Sequence, residues 1–300
     1  MQINMIRSDK VYQEMLELPL EKREGCFRAK ILAPFAMKYQ TQHIPLKAKY
    51  PGGFDALFLL GFMNQLPSTL SEKDRPAIDS LSSDQLWQDC QDTIKRSMGL
   101  FEQAGYDLDV EDYHFTILLG NPEKPMLQLN KGYSGDGGIP GYLMLSLLPN
   151  DYTLLRVQAA LAHECNHNVR FQFIKWNQQT TLADWVVSEG LAESFAAELY
   201  GKDLIGPWVT STSPEQLEEI KPIISSQLQL TGMAEMAPYL YGDEIAKIQG
   251  QIPVGMPYAA GYAYGYHLIQ AYLKKTGKSI IEATVTPTEE ILEATKDFWK

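Results

Sequence analysis

Residues 163–167 read His-Glu-Cys-Asn-His, and they stand inside Tyr152–Trp176, a run without glycine or proline. Leu154, Leu155, Ala159, Leu161 and Ala162 recur there at helical spacing, and Pro149-Asn150-Asp151 offers a cap, so a helix is expected over the run. Residues four apart on a helix differ by about 40° in direction and one turn in height. His163 and His167 can therefore bring two imidazoles to one ion. Glu164 turns to the same side, where it can act on a water as a base without being a ligand. A solvated helix that merely contains two histidines is the other reading. It leaves unexplained why two of the chain's five histidines fall in this array.

A zinc ion that does chemistry takes three protein ligands and keeps a position open. The next helical segment, Leu182–Tyr200 with Gly201 as its stop, supplies candidates in Ser188-Glu189-Gly190-Leu191-Ala192-Glu193-Ser194. Between His167 and Glu189 there is room for the rest of one helix, a turn at Asn177–Thr181 and the start of an antiparallel return. Glu189 and Glu193 share a face. One of them can bind the metal while the other accepts a hydrogen bond from a ligand imidazole and fixes its tautomer. Leu182, Trp185, Val186, Leu191, Phe195 and Leu199 draw the segment inward, so carboxylates among them need partners.

The rest of the chain sets bounds. Its 300 residues, 45% of them hydrophobic, fill a globular core, and a net charge of −11 disfavours nucleic acid and anionic membrane surfaces as partners. Cys26, Cys90 and Cys165 form neither a disulfide framework nor a cysteine metal site. With a polar Met1–Lys10 and no leader-like apolar stretch, the expected location is the cytoplasm. The longest apolar run, Ala56–Met63, is too short to cross a bilayer and reads as a buried helix. Helical spacing marks Val11–Leu20, Cys26–Phe35 and Leu86–Phe101; short strand-like runs follow at His114–Leu119, Met126–Leu129 and Tyr142–Leu148. Gly132–Gly141 reads as a mobile loop, either an ordinary hairpin connection or a lip beside a cleft. A third long helix is expected over Tyr258–Lys275, closed by Gly277. The organisation expected is a helical region over residues 1–110 followed by a second region over 111–300, with a further soft boundary near Tyr200–Pro207.

The array and the acidic helix together resemble the gluzincin superfamily of metallopeptidases. In its thermolysin-like members a ligand glutamate is followed four residues later by an acidic residue, as Glu189 is by Glu193, and Glu-Gly-Leu-Ala at 189–192 resembles the aminopeptidase branch. More closely, the chain resembles a bacterial family of predicted zinc-dependent proteases known as a domain of unknown function. That resemblance runs over about Tyr113–Phe298. It is carried by Gly-Tyr-x-Gly-x-Gly-Gly, by His-Glu-x-Asn-His-Asn-Val-Arg at 163–170, by Ser-Glu-Gly-Leu-Ala-Glu at 188–193 and by Gly-Tyr-x-x-Gly-Tyr at 261–266.

The resemblance implies an α+β, zincin-like fold, mostly helical, with a small mixed β-sheet next to the metal helix. It implies an edge strand along the cleft, for which Tyr142–Leu148 is the candidate, able to hold an extended peptide by backbone hydrogen bonds. It also implies one Zn2+ per chain on His163, His167 and Glu189, with Glu193 behind a ligand imidazole and Glu164 as general base for hydrolysis of a peptide or protein substrate. Tyr258-x-x-Gly261 and Tyr262-x-x-Gly265 each look like the Tyr-x-x-Gly whose tyrosine stabilises the oxyanion. Tyr262 is preferred, with Tyr258 and His267 behind it; an aromatic face packed in the core is the alternative. Arg170 is read as pairing with Glu189, Glu193 or a substrate carboxylate, or as part of a structural ion pair. His43 and His114 lack ligand-spaced neighbours, and Cys165 faces away from both histidines as a packed thiol. Two other functions fit the same residues: a zincin-like binding or regulatory protein without turnover, and a zinc hydrolase of a non-peptide amide or ester. Glu164 argues against the first, because a structural zinc site has no use for a base.

Overall fold

The structure, a computed structural model, describes residues 1–299 and opens on a strand that periodicity does not reveal, β1 (Gln2–Met5). This strand pairs in parallel with β2 (Asp112–Leu119), placing Gln2 opposite Asp112 and Met5 opposite Phe115. Strands β3 (Tyr133–Ile139) and β4 (Tyr142–Leu147) form an antiparallel hairpin, and β4 runs parallel to β2. The result is a small mixed sheet of order β1-β2-β4-β3.

Two sequence expectations fail in this sheet. The glycine-rich segment expected to be a mobile loop is mostly strand β3. Its backbone pairs with β4 from Tyr133 opposite Leu147 to Asp136 opposite Met144, and the register shifts only between Asp136 and Ile139. Gly137 and Gly138 thus mark a bulge within a strand, and the turn shrinks to Pro140-Gly141, where Gly141 has φ +88°. Tyr142–Leu148 is interior, and the edge strands are β1 and β3. The interior place of β4 agrees with its residues, since Leu143, Met144, Leu145 and Leu147 are all buried. The second strand-like run is also corrected: Met126–Leu129 belongs to a short helix, Pro125–Leu129, started by proline at its first position.

By its contacts the chain divides into two compact units, residues 1–96 with 109–161 and residues 97–108 with 162–300. In the first, helix α1 (Ser8–Glu17) lies against the sheet, and the Tyr12 hydroxyl accepts the Leu119 N–H at 3.2 Å. Trp87, near the start of α2 (Asp84–Gln103), meets Phe115 edge-on. The sheet draws strands from both sides of residue 110, since β1 lies in the region expected to be helical. The apolar run at 56–63 forms the helix Ala56–Leu60, capped by Asp55, yet Phe58 and Phe62 are 49% and 47% exposed. Its expected burial is therefore only partial.

The helix expected over Tyr152–Trp176 is interrupted near Leu155, giving a short turn, Asp151–Leu154, and α3 (Val157–Phe173). In the second unit α4 (Leu182–Tyr200) starts on a capping box of Thr181 with Asp184 and stops at Gly201. From Val186 to Ala197 every residue of α4 is buried. Helix α5 (Ala260–Thr276) ends at Gly277, φ +69°, as the sequence indicates. It packs on α4 through two glycines: a Cβ at Gly190 would stand 2.1 Å from the Gly265 carbonyl oxygen, and one at Gly265 would stand 1.9 Å from that of Val186. Only glycine lets the two backbones approach so closely. Among the described residues no helix is long and apolar enough to cross a membrane.

Candidate metal centre

Helix α3 turns His163 and His167 to one side, as their spacing requires, and α4 brings Glu189 against both. The three donor atoms form a near-equilateral triangle. His163 Nε2 lies 3.1 Å from His167 Nε2 and 3.2 Å from Glu189 Oε2, and His167 Nε2 lies 3.3 Å from the same oxygen. All three side chains are at most 8% exposed. Ligands on a tetrahedral zinc at about 2.0–2.1 Å stand roughly 3.3 Å from one another. The triangle therefore has the dimensions that such an ion needs, and these residues are the group able to hold a metal among those described.

The tautomer of His163 follows from its other nitrogen. Nδ1 lies 2.8 Å from Glu193 Oε2, and a carboxylate only accepts, so Nδ1 carries a proton and Nε2 is the nitrogen that faces the triangle and would give its lone pair to an ion. Glu193 is itself held by the Gly206 backbone N–H at 2.6 Å and the Trp208 indole N–H at 2.7 Å. His167 is oriented differently. Its ring stacks on Phe171 with planes 9° apart, and its Nδ1 has no partner among the described residues.

The electrostatics favour a cation. Glu164, Glu189 and Glu193 are all buried around two imidazoles, an excess of negative charge that burial makes costly unless something positive offsets it. Burial alone would push the His163 pKa down, yet hydrogen bonds to Glu189 and Glu193, with the charge of Glu164, carry it well above the usual histidine value. Burial likewise opposes the charged form of Glu189, but His167 and His163 outweigh it and hold the carboxyl at about 2. A site that draws a proton so strongly offers the same field to a divalent ion. The donor set and its charge both fit zinc.

Of the remaining sequence candidates, the structure brings Tyr262 to this cluster and leaves His267 out of it. Tyr262 occupies the first turn of α5, packed between Trp208 and Tyr241. Burial, then the charges of Glu189 and Glu164, raise its pKa well above that of an ordinary phenol, so it stays protonated and able to donate. Tyr258 precedes α5 and stands close enough to act on Tyr262 electrostatically. His267 faces Lys221 and packs edge-on against Tyr266. Cys165 is a buried thiol in no disulfide, as expected. Arg170 pairs with neither Glu189 nor Glu193, contrary to one sequence expectation; its four partners are Ser188, Thr284, Thr286 and Thr288.

Sequence reasoning missed Gly206 and Trp208, which reach Glu193 from 13 and 15 residues downstream. A Cβ at Gly206 would fall 2.1 Å from the Trp208 ring, so glycine there makes room for the indole. Trp208→Phe keeps the ring and removes the donor to Glu193. Zinc affinity should fall about 10-fold, as for other partners that orient a ligand histidine, measured by chelator competition. Unchanged affinity would show that Glu193 needs no help from the indole.

With this geometry in place, the relatives define the class. Residues 86–293 match the family described as predicted Zn-dependent protease (DUF2268), and the chain belongs to that family. Over 293 residues, 97% of each chain, it is 33% identical to the uncharacterized protein YjfC of Bacillus subtilis (strain 168). It is also 27% identical over 155 residues to the uncharacterized protein YjaZ of the same organism, covering 50% of this chain and 55% of that relative. No solved structure matches the chain.

Proposed function

We propose that this protein is a zinc-dependent peptidase of zincin-like fold, with the metal on His163, His167 and Glu189 and with Glu164 as general base. One observation carries the reading: two imidazole nitrogens and one carboxylate oxygen, 3.1–3.3 Å apart in a buried site, stand beside a further buried glutamate. When bound, zinc supplies Lewis acidity toward a scissile carbonyl and toward water. Glu164 takes the proton from the attacking water and returns it to the departing amine. The neutral Tyr262 phenol donates a hydrogen bond to the oxygen on which negative charge develops. Glu193, through His163 Nδ1, keeps the imidazole in the tautomer that leaves Nε2 free. No covalent intermediate with the protein is needed. The three free cysteines fit a reducing compartment such as the cytoplasm.

The test is the zinc content of the purified protein together with hydrolysis of a mixed peptide library, before and after chelation. Stoichiometric zinc with cleavage that chelation stops and zinc restores is expected. Zinc without cleavage of any peptide would favour a binding protein, and absence of zinc would overturn the site. Tyr262→Phe should lower kcat by about 10²-fold with KM nearly unchanged, the loss typical of one oxyanion donor. An equal loss in Tyr258→Phe and none in Tyr262→Phe would move that role to Tyr258.

A further inference from the structure

Helix α3 carries a second pair at four-residue spacing beside the two histidines. Asn166 and Arg170 are both fully buried, and among the described residues no carboxylate lies within ion-pair distance of the guanidinium. Arg170 instead donates to four oxygens. Its Nε reaches Ser188 Oγ at 3.1 Å, one Nη reaches the carbonyls of Thr284 at 2.8 Å and Thr286 at 3.0 Å, and the other Nη reaches Thr288 Oγ1 at 3.1 Å. Asn166 Nδ2 adds a bond to Thr284 Oγ1 at 2.7 Å.

These partners belong to three elements. Thr284 and Thr286 close α6 (Ile280–Val285), whose last carbonyls lack partners within the helix and carry its negative end. Thr288 begins α7 (Thr288–Ala294). Ser188 lies on α4 immediately before Glu189, and its own hydroxyl donates to the Asp184 carbonyl at 2.7 Å. The guanidinium therefore caps one helix, holds the start of the next, and ties both to the turn of α4 that carries Glu189.

Burying a guanidinium without a carboxylate is costly, and burial pulls the Arg170 pKa down to about 10. A long apolar side chain would fill the same volume without that cost. What it could not do is fix direction. Arg's planar fork bonds in set directions, so the contact with Ser188 restrains rotation of α4 about its axis. Rotation is the movement that would swing Glu189 Oε2 away from the two imidazoles.

We propose that Arg170 is a positioning residue for the metal centre: by joining Ser188 to the C-terminal end of α6, it sets the rotation of α4 and so aims Glu189 at His163 and His167. The proposal rests on the zinc site described above. It assigns a role to the arginine of the His-Glu-x-Asn-His-Asn-Val-Arg stretch and makes the segment 280–288 a support of that site.

The experiment measures zinc affinity by chelator competition, and the unfolding midpoint of the zinc-free protein, for the full-length wild type, Ser188→Ala, Ser188→Thr and Arg170→Lys. Ser188→Ala breaks the tie to α4 while leaving the cap on α6. Zinc affinity should fall about 10-fold in Ser188→Ala and up to about 100-fold in Arg170→Lys, the range seen for residues that orient metal ligands. Ser188→Thr, which keeps the hydroxyl, should recover most of the loss. The zinc-free midpoint of Ser188→Ala should stay close to wild type. Midpoints that fall while zinc affinity holds would make the role structural only and overturn the proposal. If Arg170→Lys fails to fold, the serine pair decides alone. Wild type that binds no zinc would instead sink the underlying site, and that outcome is read from the wild type by itself.

Discussion

Glu164→Gln is expected to lose peptide hydrolysis by about 10²- to 10⁴-fold, the range for removal of a general base, while retaining bound zinc. Glu164 is 7% exposed and follows His163 directly on α3. Its charge acts on both His163 and Tyr262, which puts it in the neighbourhood of both. Glutamine keeps the shape and the hydrogen-bonding reach but cannot hold a proton taken from water. The loss should fall on kcat, with KM little changed, because ground-state binding of a peptide does not call on the base. Zinc content separates the ways this can fail. Full zinc with undiminished cleavage would remove Glu164 from the chemistry. A variant that also lost its zinc would show that Glu164 helps assemble the site, and the kinetic loss would then say nothing about proton transfer.

The grouping of His163 with His167 was legible in the sequence because its information is local. His163 and His167 are one turn apart, and a run without glycine or proline favours the helix that makes the spacing meaningful, although that helix starts only at Val157. Glu189 and Glu193 were legible for a related reason: an apolar segment with two carboxylates on one face has to find them partners. The supports of the site were not legible. Gly206 and Trp208 meet Glu193 only because the chain folds back after α4, and no periodicity links positions so far apart. Three of the four partners of Arg170 lie more than a hundred residues downstream, at Thr284, Thr286 and Thr288. An ion pair was the natural expectation for a buried arginine, but helix-end carbonyls satisfy it instead.

The sheet illustrates the same limit on a larger scale. Runs such as His114–Leu119 announce themselves by side-chain type, whereas β3 pairs through its backbone, which glycine supplies as well as any residue. A glycine-rich strand therefore looks like a loop. Strand order is also invisible along the chain. Tyr142–Leu148 and the hairpin before it are adjacent in sequence, and only the parallel pairing of β4 with β2 puts β4 inside and β3 at the edge. The almost continuous apolar character of β4, the mark of a strand covered on both sides, was the clue that favoured the interior.

Gly265→Ala should be the most destabilising single-carbon addition in the second unit, costing more than about 3 kcal/mol, the upper end for overpacking a tight site. The Cβ would lie 1.9 Å from the Val186 oxygen and 3.2 Å from the Gly190 nitrogen, and backbone atoms of a helix cannot rotate aside. Helices α4 and α5 would have to separate. That movement reaches the chemistry, because Gly190 adjoins Glu189 and Gly265 follows Tyr262 by one turn of α5. Activity in the surviving folded fraction should thus fall with stability, Tyr262 being drawn away from the ligand carboxylate. Gly25→Ala is the control, since a Cβ there meets nothing within 4 Å and the position lies in the helix Leu20–Phe27. It should hold stability or raise it by about 0.5–1 kcal/mol. Urea unfolding of both variants decides the matter: equal midpoints for Gly265→Ala and wild type would mean that α4 and α5 do not meet at these glycines, and the proposed role of Tyr262 beside Glu189 would lose its support.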